Sequence, residues 1–198
     1  MSNFSTKIYD TFMEPFERKG IRETRKKHCA RAYGNVLEVG PGTGVNIKYY
    51  DMNSISKLSF VDLKFNVDFI NKIKENSKMF IFNNSVEDLP FESNSFDTII
   101  ITLVFCSVEN PLKGLSEIRR VLKENGKIYF IEHVQSDKDS LKPILNFMTP
   151  LWKKVANGCH LNRDTLKTFK EADFEIVYYN RFLNGVFIEG EAIKNIIL

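Results

Sequence analysis

Asn35-Val36-Leu37-Glu38-Val39-Gly40-Pro41-Gly42-Thr43-Gly44 runs from a short apolar segment into three glycines at alternate positions. The apolar residues over 35–39 read as a buried strand, and the glycines end it. Without a Cβ, the backbone can turn sharply there and approach a ligand closely. A helix is expected to open near Gly44 and run toward Tyr50, offering unpaired N–H groups and a positive dipole end to a nucleotide-like ligand. A dinucleotide fingerprint would require a third glycine where Val45 stands. A Walker loop would require Gly-Lys-Ser/Thr, whereas Gly44 is followed by Val45-Asn46.

Outward from this turn, strands and helices alternate. Residues 57–61 read as a second strand closing on Asp62, followed by a helix over 67–75 and a short third strand over 79–83. Residues 96–103 are rich in β-branched side chains, as expected of a strand buried on both faces at the centre of a parallel sheet. An amphipathic helix over 111–122 carries Pro111 in its first turn, and the Asn125-Gly126 turn leads into a strand over 127–133. Helices are expected over 141–156 and 163–171, the second capped by Asn162. Strands over 175–179 and 186–192 close the chain as a hairpin around Asn184-Gly185. The pattern predicts an α/β, doubly wound, Rossmann-like fold with a seven-stranded, mostly parallel sheet and an antiparallel C-terminal hairpin strand. Residues 1–198 read as one domain, with 1–34 as an N-terminal helical cap.

Asp62 stands 22 residues after Gly40, at the end of the next strand. An acid there accepts the ribose hydroxyls of an adenosine ligand in doubly wound folds. A helix N-cap is the structural alternative, compatible with the first. Ser85-Val86-Glu87-Asp88-Leu89-Pro90-Phe91 follows the third strand at the same sheet edge.

These blocks carry a resemblance. Residues 36–44 resemble motif I of the class I S-adenosylmethionine-dependent methyltransferases. Glu87-Asp88-Leu89-Pro90-Phe91, Ser95-Phe96-Asp97 and Ile118-Arg119-Arg120-Val121-Leu122-Lys123 with Gly126 resemble further blocks of the ubiquinone-biosynthesis-like branch. The resemblance implies that Gly40, Gly42 and Gly44 line the methionine and ribose of S-adenosylmethionine, and that Glu38 helps hold the methionine amino group. It places Asp62, with Leu63 beside it, at the ribose hydroxyls. Ser85, Val86 and Glu87 fall around the adenine, and Thr102 faces the sulfonium. S-adenosylhomocysteine is then the product. Glu124-Asn125 departs from the Pro-Gly usual in the family, at a surface turn.

The resemblance extends to two subgroups. Residues 102–108, Glu132-His133-Val134 and residues 157–163 are similar to animal enzymes that methylate alkyl thiols. Tyr9-Asp10 with Phe16-Glu17 is similar to bacterial phosphatidylethanolamine N-methyltransferases. The acceptor is therefore a small-molecule or lipid head-group nucleophile, thiol or amine. Methyl transfer from a sulfonium is an in-line displacement, so alignment and water exclusion dominate and a strong base is optional. His133, ending a strand beside Glu132, and His160, before a helix, are the candidates to take a substrate proton. Each has a packing role as its alternative.

Cys106 after the central strand reads as a small buried hydrophobe, since no covalent step is required. Tyr9, Phe12, Met13 and Phe16 fall at i, i+3, i+4 and i+7, either as core or as an apolar lid, to which Phe147 and Trp152 would add.

Composition narrows the remaining classes. Three scattered cysteines without a Cys-x-x-Cys pair argue against a disulfide framework and a structural metal site. No signal-peptide-like opening appears and the longest apolar run is short, so a soluble, cytoplasmic enzyme is the expectation. The net charge of +3 does not point to nucleic acid, and the fourth strand is followed by Thr102-Leu103-Val104-Phe105 rather than the Asn/Asp-Pro-Pro-aromatic run of amino-methyltransferases acting on bases. Seven basic residues between Arg18 and Arg31 face a single Glu23, which raises contact with an anionic membrane as an alternative to a solvated helix face. A catalytically silent cofactor-binding scaffold is the rival function; its mark would be degenerate glycines, and these are intact.

Overall fold

The computed structural model describes residues 13–155 and 158–195. Seven strands among them form one sheet: β1 (Gly34–Val39), β2 (Ile55–Asp62), β3 (Met79–Asn83), β4 (Phe96–Thr102), β5 (Leu122–His133), β6 (Phe174–Phe182) and β7 (Phe187–Lys194). Their order is β3-β2-β1-β4-β5-β7-β6. The first five are parallel; β7 runs antiparallel to both β5 and β6. The helices are α1 (Arg22–Ala30), α2 (Val67–Ile73), α3 (Pro111–Val121), α4 (Lys142–Val155) and α5 (Thr165–Glu171).

Central strands are apolar on both faces because helices cover both. Leu37, Val39, Ile99, Ile101, Ile128 and Phe130 enter one core with α3 and α5. The alternate residues Val36, Ile100 and Tyr129 enter a second core with Phe69 of α2 and Cys29 of α1. This period of two, read from opposite faces, produces the near-continuous apolar runs seen in the sequence.

Local structure differs from the sequence reading at several ends. No α-helix follows Gly44. The chain makes turns and a single 3-10 turn, Ile47–Tyr49, before Tyr50 goes extended at φ −75, ψ 134. Asp62 does not cap α2: Asn66 does, accepting the Phe69 amide at 2.7 Å. Asp164, rather than Asn162, caps α5 through the Lys167 amide. Strand β5 already begins at Leu122, so Asn125-Gly126 lies inside it as an irregularity.

The N-terminal cap is fastened to the far side of the sheet. His28 Nε2 donates to the Glu189 carboxylate at 2.8 Å, and Arg31 binds Glu191 at 2.6 Å while lying 4.6 Å from the Tyr129 ring centroid. Arg18 and Arg22 pair with Glu14, Arg25 with Glu17, Lys26 with Glu23 and Lys27 with Glu189. Most of the basic run is thus neutralised by acids brought in from elsewhere. Of the N-terminal apolar stripe, Met13 and Phe16 pack with Ile131 and Phe187; Tyr9, Asp10 and Phe12 lie outside the described residues.

Candidate active site

In this topology the chain leaves β1 toward β2 and β3 on one side, and returns through β4 and β5 on the other. The carboxyl ends of β1 and β4 therefore flank the crevice where such sheets bind ligands. Asp62, Val39, Thr102 and His133 end β2, β1, β4 and β5 in spatial order, with Gly40 following Val39 directly. At about 4.8 Å per strand they span roughly 14 Å of sheet edge.

The glycine turn is shaped by steric necessity at two positions and by open space at the third. Gly40 has φ +62, and a Cβ there would lie 2.6 Å from Val104 Cγ2; at Gly44, with φ +75, it would meet Ile47 at 2.7 Å and Phe69 at 2.9 Å. Gly42 has φ +58 and no heavy atom within 4 Å of the place a Cβ would take. Asn66 Nδ2 and Lys72 Nζ hold the turn from α2 by donating to the carbonyls of Gly42 and Thr43. The turn is a fixed cradle with a clear inner surface.

Beneath it, Glu38 is fully buried and accepts from Asn46 Nδ2 at 2.9 Å and Tyr50 Oη at 2.7 Å. Asn46 also reaches Thr102 Oγ1 at 3.3 Å, and its own oxygen accepts from Arg25 at 3.0 Å. Burial raises the Glu38 carboxyl to about 7, opposed by its two donors and by Arg25. Asp62 is half-buried, accepts the Lys64 amide at 3.3 Å, and is pushed up from the ordinary carboxylate range by burial. Leu63 beside it is 75% exposed.

Ser85 accepts the Glu87 amide at 3.1 Å, and Glu87 accepts the Asn110 amide at 2.9 Å, tying the loop after β3 to the start of α3. The Val86 side chain enters the core.

On the other side of the crevice, Glu132 is fully buried and accepts three consecutive amides, those of Val104 at 2.9 Å, Phe105 at 3.0 Å and Cys106 at 3.2 Å. Arg163 donates to the Phe105 carbonyl of the same loop. Burial raises the Glu132 carboxyl to about 7 against those three donors. The turn after β4 is thereby latched to β5, with Leu103 at φ +58. Beside it, burial depresses His133 to about 4, keeping the imidazole neutral. Its ring packs edge-on to Phe187 at 5.1 Å, and its buried Nδ1 has no hydrogen-bond partner. His160 is held by its amide at 2.8 Å and its Nδ1 at 3.1 Å from the Cys106 carbonyl. The two histidines thus share one edge. Cys106, in a thiol–thiol hydrogen bond with Cys159 and buried, is held well above the ordinary thiol range and packs with Cys159 and Trp152 as a hydrophobe.

A family model described as a methyltransferase domain matches residues 37–130. The thiol S-methyltransferase TMT1B of Mus musculus is 35% identical over 177 residues, covering 81% of this chain and 72% of the relative. TMT1B of Rattus norvegicus is 36% identical over 149 residues, covering 72% of this chain and 60% of the relative. The chain belongs to the class I S-adenosylmethionine-dependent methyltransferases. A solved S-adenosylmethionine-dependent methyltransferase from Aquifex aeolicus has the same fold, with a TM-score of 0.64 over 98% of both chains at 16% identity.

As a methyltransferase, the protein takes S-adenosylmethionine, and the residues of the crevice fit it. The clear surface over Gly42 admits a ligand against bare backbone, the buried Glu38 carboxyl suits an ammonium group, and Asp62 suits vicinal hydroxyls. Sequence reasoning named Glu38 but missed Asn46 and Tyr50, which hold it, and missed Glu132 as the latch of the β4 loop. An acid closing the apolar run 128–131 was the available signal, since such a carboxylate must find donors.

Proposed function

We propose that this methyltransferase transfers its methyl group to the sulfur of a small apolar thiol. The observation that carries the reading is the chemistry of the acceptor edge. His133 is neutral there, Leu103, Phe16 and Phe187 are apolar neighbours, and the nearest carboxylate, Glu132, is already committed to three backbone amides. A primary ammonium acceptor would need a carboxylate to receive it and a base to strip it, since an amine near pKa 10 is almost wholly protonated at neutral pH. A thiol is uncharged and has only one proton to lose, the cysteine thiol near pKa 8.5 supplying a few per cent thiolate unaided. The thiol S-methyltransferase relatives at 35–36% identity support the same acceptor class.

Bound S-adenosylmethionine supplies an electrophilic methyl and a neutral thioether leaving group. Glu38 holds the methionine end of the ligand and Asp62 its ribose, and the latched loop over 103–106 closes the space beside Thr102. His133 and His160 border the approach of the sulfur; His133, depressed to about 4, is too weak a base to keep a thiol's proton, so it lines the approach uncharged and the proton leaves to water as the carbon–sulfur bond forms. A catalytically silent scaffold has less support, because the glycines are intact and their cradle is open.

The test is methyl transfer from labelled S-adenosylmethionine to a short alkanethiol and, in parallel, to phosphatidylethanolamine in mixed micelles. A labelled thioether with no labelled amine is the expected result. Label on the amine alone would assign the other acceptor class, and cofactor binding with no transfer to either would favour the scaffold.

A further inference from the structure

Helix α4 (Lys142–Val155) has two apolar faces where a surface helix ordinarily has one. Toward the body of the protein, Thr149 is buried and Trp152 packs against Cys106 and Cys159. Away from it, Ile144, Phe147, Met148 and Leu151 follow at i, i+3, i+4 and i+7, exposed at 53%, 88%, 47% and 72%. That outer stripe is continuous over two turns and is exposed along its length, most fully at Phe147 and Leu151. Lys154 extends it by a further turn, with Lys153 beside it and Lys142 at the other end, and no acid lies between Lys142 and Val155.

We propose that α4 is an interfacial helix that seats this protein on an anionic phospholipid bilayer. The charge pattern selects the occupant: an apolar stripe enters the boundary between headgroups and acyl chains while lysines at its ends meet anionic headgroups. A second copy of the chain fits less well, because the stripe exposes on the order of 400–500 Å², against roughly 800 Å² per partner in a stable interface. A two-fold contact would also bring the lysine ends together. Spanning is not at issue, since no helix among the described residues is long and apolar enough to cross a membrane. The basic residues of α1 and its approach are largely paired with Glu14, Glu17, Glu23, Glu189 and Glu191, and Lys142 pairs with Asp139, whereas Lys153 and Lys154 have no ion-pair partner among the described residues. Because Trp152 on the inner face touches Cys106, beside His160, docking through α4 brings the acceptor edge of the site close to the lipid. The docking does not depend on which nucleophile is methylated.

The experiment is vesicle co-sedimentation of the full chain with phosphatidylcholine alone and with phosphatidylcholine containing phosphatidylglycerol. Wild type is expected to sediment with the anionic vesicles at least tenfold better than with the zwitterionic ones, and to be released by moderate salt. Phe147→Ser/Leu151→Ser should lose at least tenfold in partitioning, and Lys153→Glu/Lys154→Glu several-fold. Both should keep the wild-type melting temperature and affinity for S-adenosylhomocysteine, because all four side chains lie in solvent. No sedimentation of wild type with anionic vesicles overturns the proposal. Equal sedimentation of the Phe147→Ser/Leu151→Ser variant also overturns it and moves the contact to another segment. A concentration-dependent dimer abolished by that variant, with no vesicle binding, assigns the stripe to a second copy instead.

Discussion

Glu38 concentrates the cost and the use of the cofactor side in one carboxyl. Buried and raised to about 7, it is near half-protonated at neutral pH before the ligand arrives. An ammonium group bound there selects the carboxylate, so binding releases a proton, and affinity for S-adenosylmethionine should fall by up to tenfold per pH unit below about 7. Calorimetry between about pH 5.5 and 7 reads this directly; a flat affinity over that range removes Glu38 from the ammonium site. The glycines divide differently. Gly42→Ala meets open space and should lower stability by only about 1 kcal/mol for its left-handed backbone, while reducing cofactor affinity at least tenfold because its methyl occupies the cradle. Gly40→Ala drives a methyl into Val104 and should cost several kcal/mol, enough to appear first as loss of soluble protein. His133, neutral above about 4, gives the rate with a thiol acceptor no rise near 6.5. The pH profile should follow the ionisation of the thiol used, and a step near 6.5 that vanishes in His133→Asn would contradict this.

At the scale of elements, the latch between β5 and the loop after β4 is the feature on which the acceptor edge depends. Glu132→Ala leaves three buried amides without an acceptor, each worth about 1–3 kcal/mol when unsatisfied. Partial relaxation and water entry make about 3 kcal/mol a reasonable net loss, measurable by urea unfolding. Glu132→Gln retains one carbonyl acceptor and should recover part of that stability. Its effect on the acceptor should exceed its effect on cofactor affinity, since Glu132 bonds the loop directly and meets the glycine turn only through Val104. Equal losses in both would mean that the loop is not an independent element. Helix α4 obeys a different logic: its inner face is core to the site, whereas its outer face adds nothing to folding.

The whole molecule is held by ties that join distant parts of the chain. His28 and Arg31 reach Glu189 and Glu191 across some 160 positions of sequence. The Glu189 carboxyl, hydrogen-bonded by His28, is held below the ordinary range, so its contribution is present above that range and lost as pH falls through its folded value. Glu38 and Glu132 act with the opposite sign: raised in the fold, they destabilise the unliganded protein as pH climbs from about 4.5 through 7. The melting temperature of the free protein should therefore decline between about pH 4.5 and 7 and level off above, where S-adenosylhomocysteine should restore it most. Much of this molecule was legible beforehand. Periods of two and of 3.6, alternate glycines after an apolar run, and an acid at the end of the next strand are local properties of the chain, and they determined the strand order class, the cradle and the candidates Glu38 and Asp62. Which donors would meet those acids was not local. Asn46, Tyr50 and the amides of 104–106 became partners only when burial made an unpaired carboxylate costly. The outer face of α4 was likewise undecided: the sequence grouped Phe147 with Trp152 in one apolar lid, and only packing set Trp152 against Cys106 and Cys159 while leaving Phe147 in solvent.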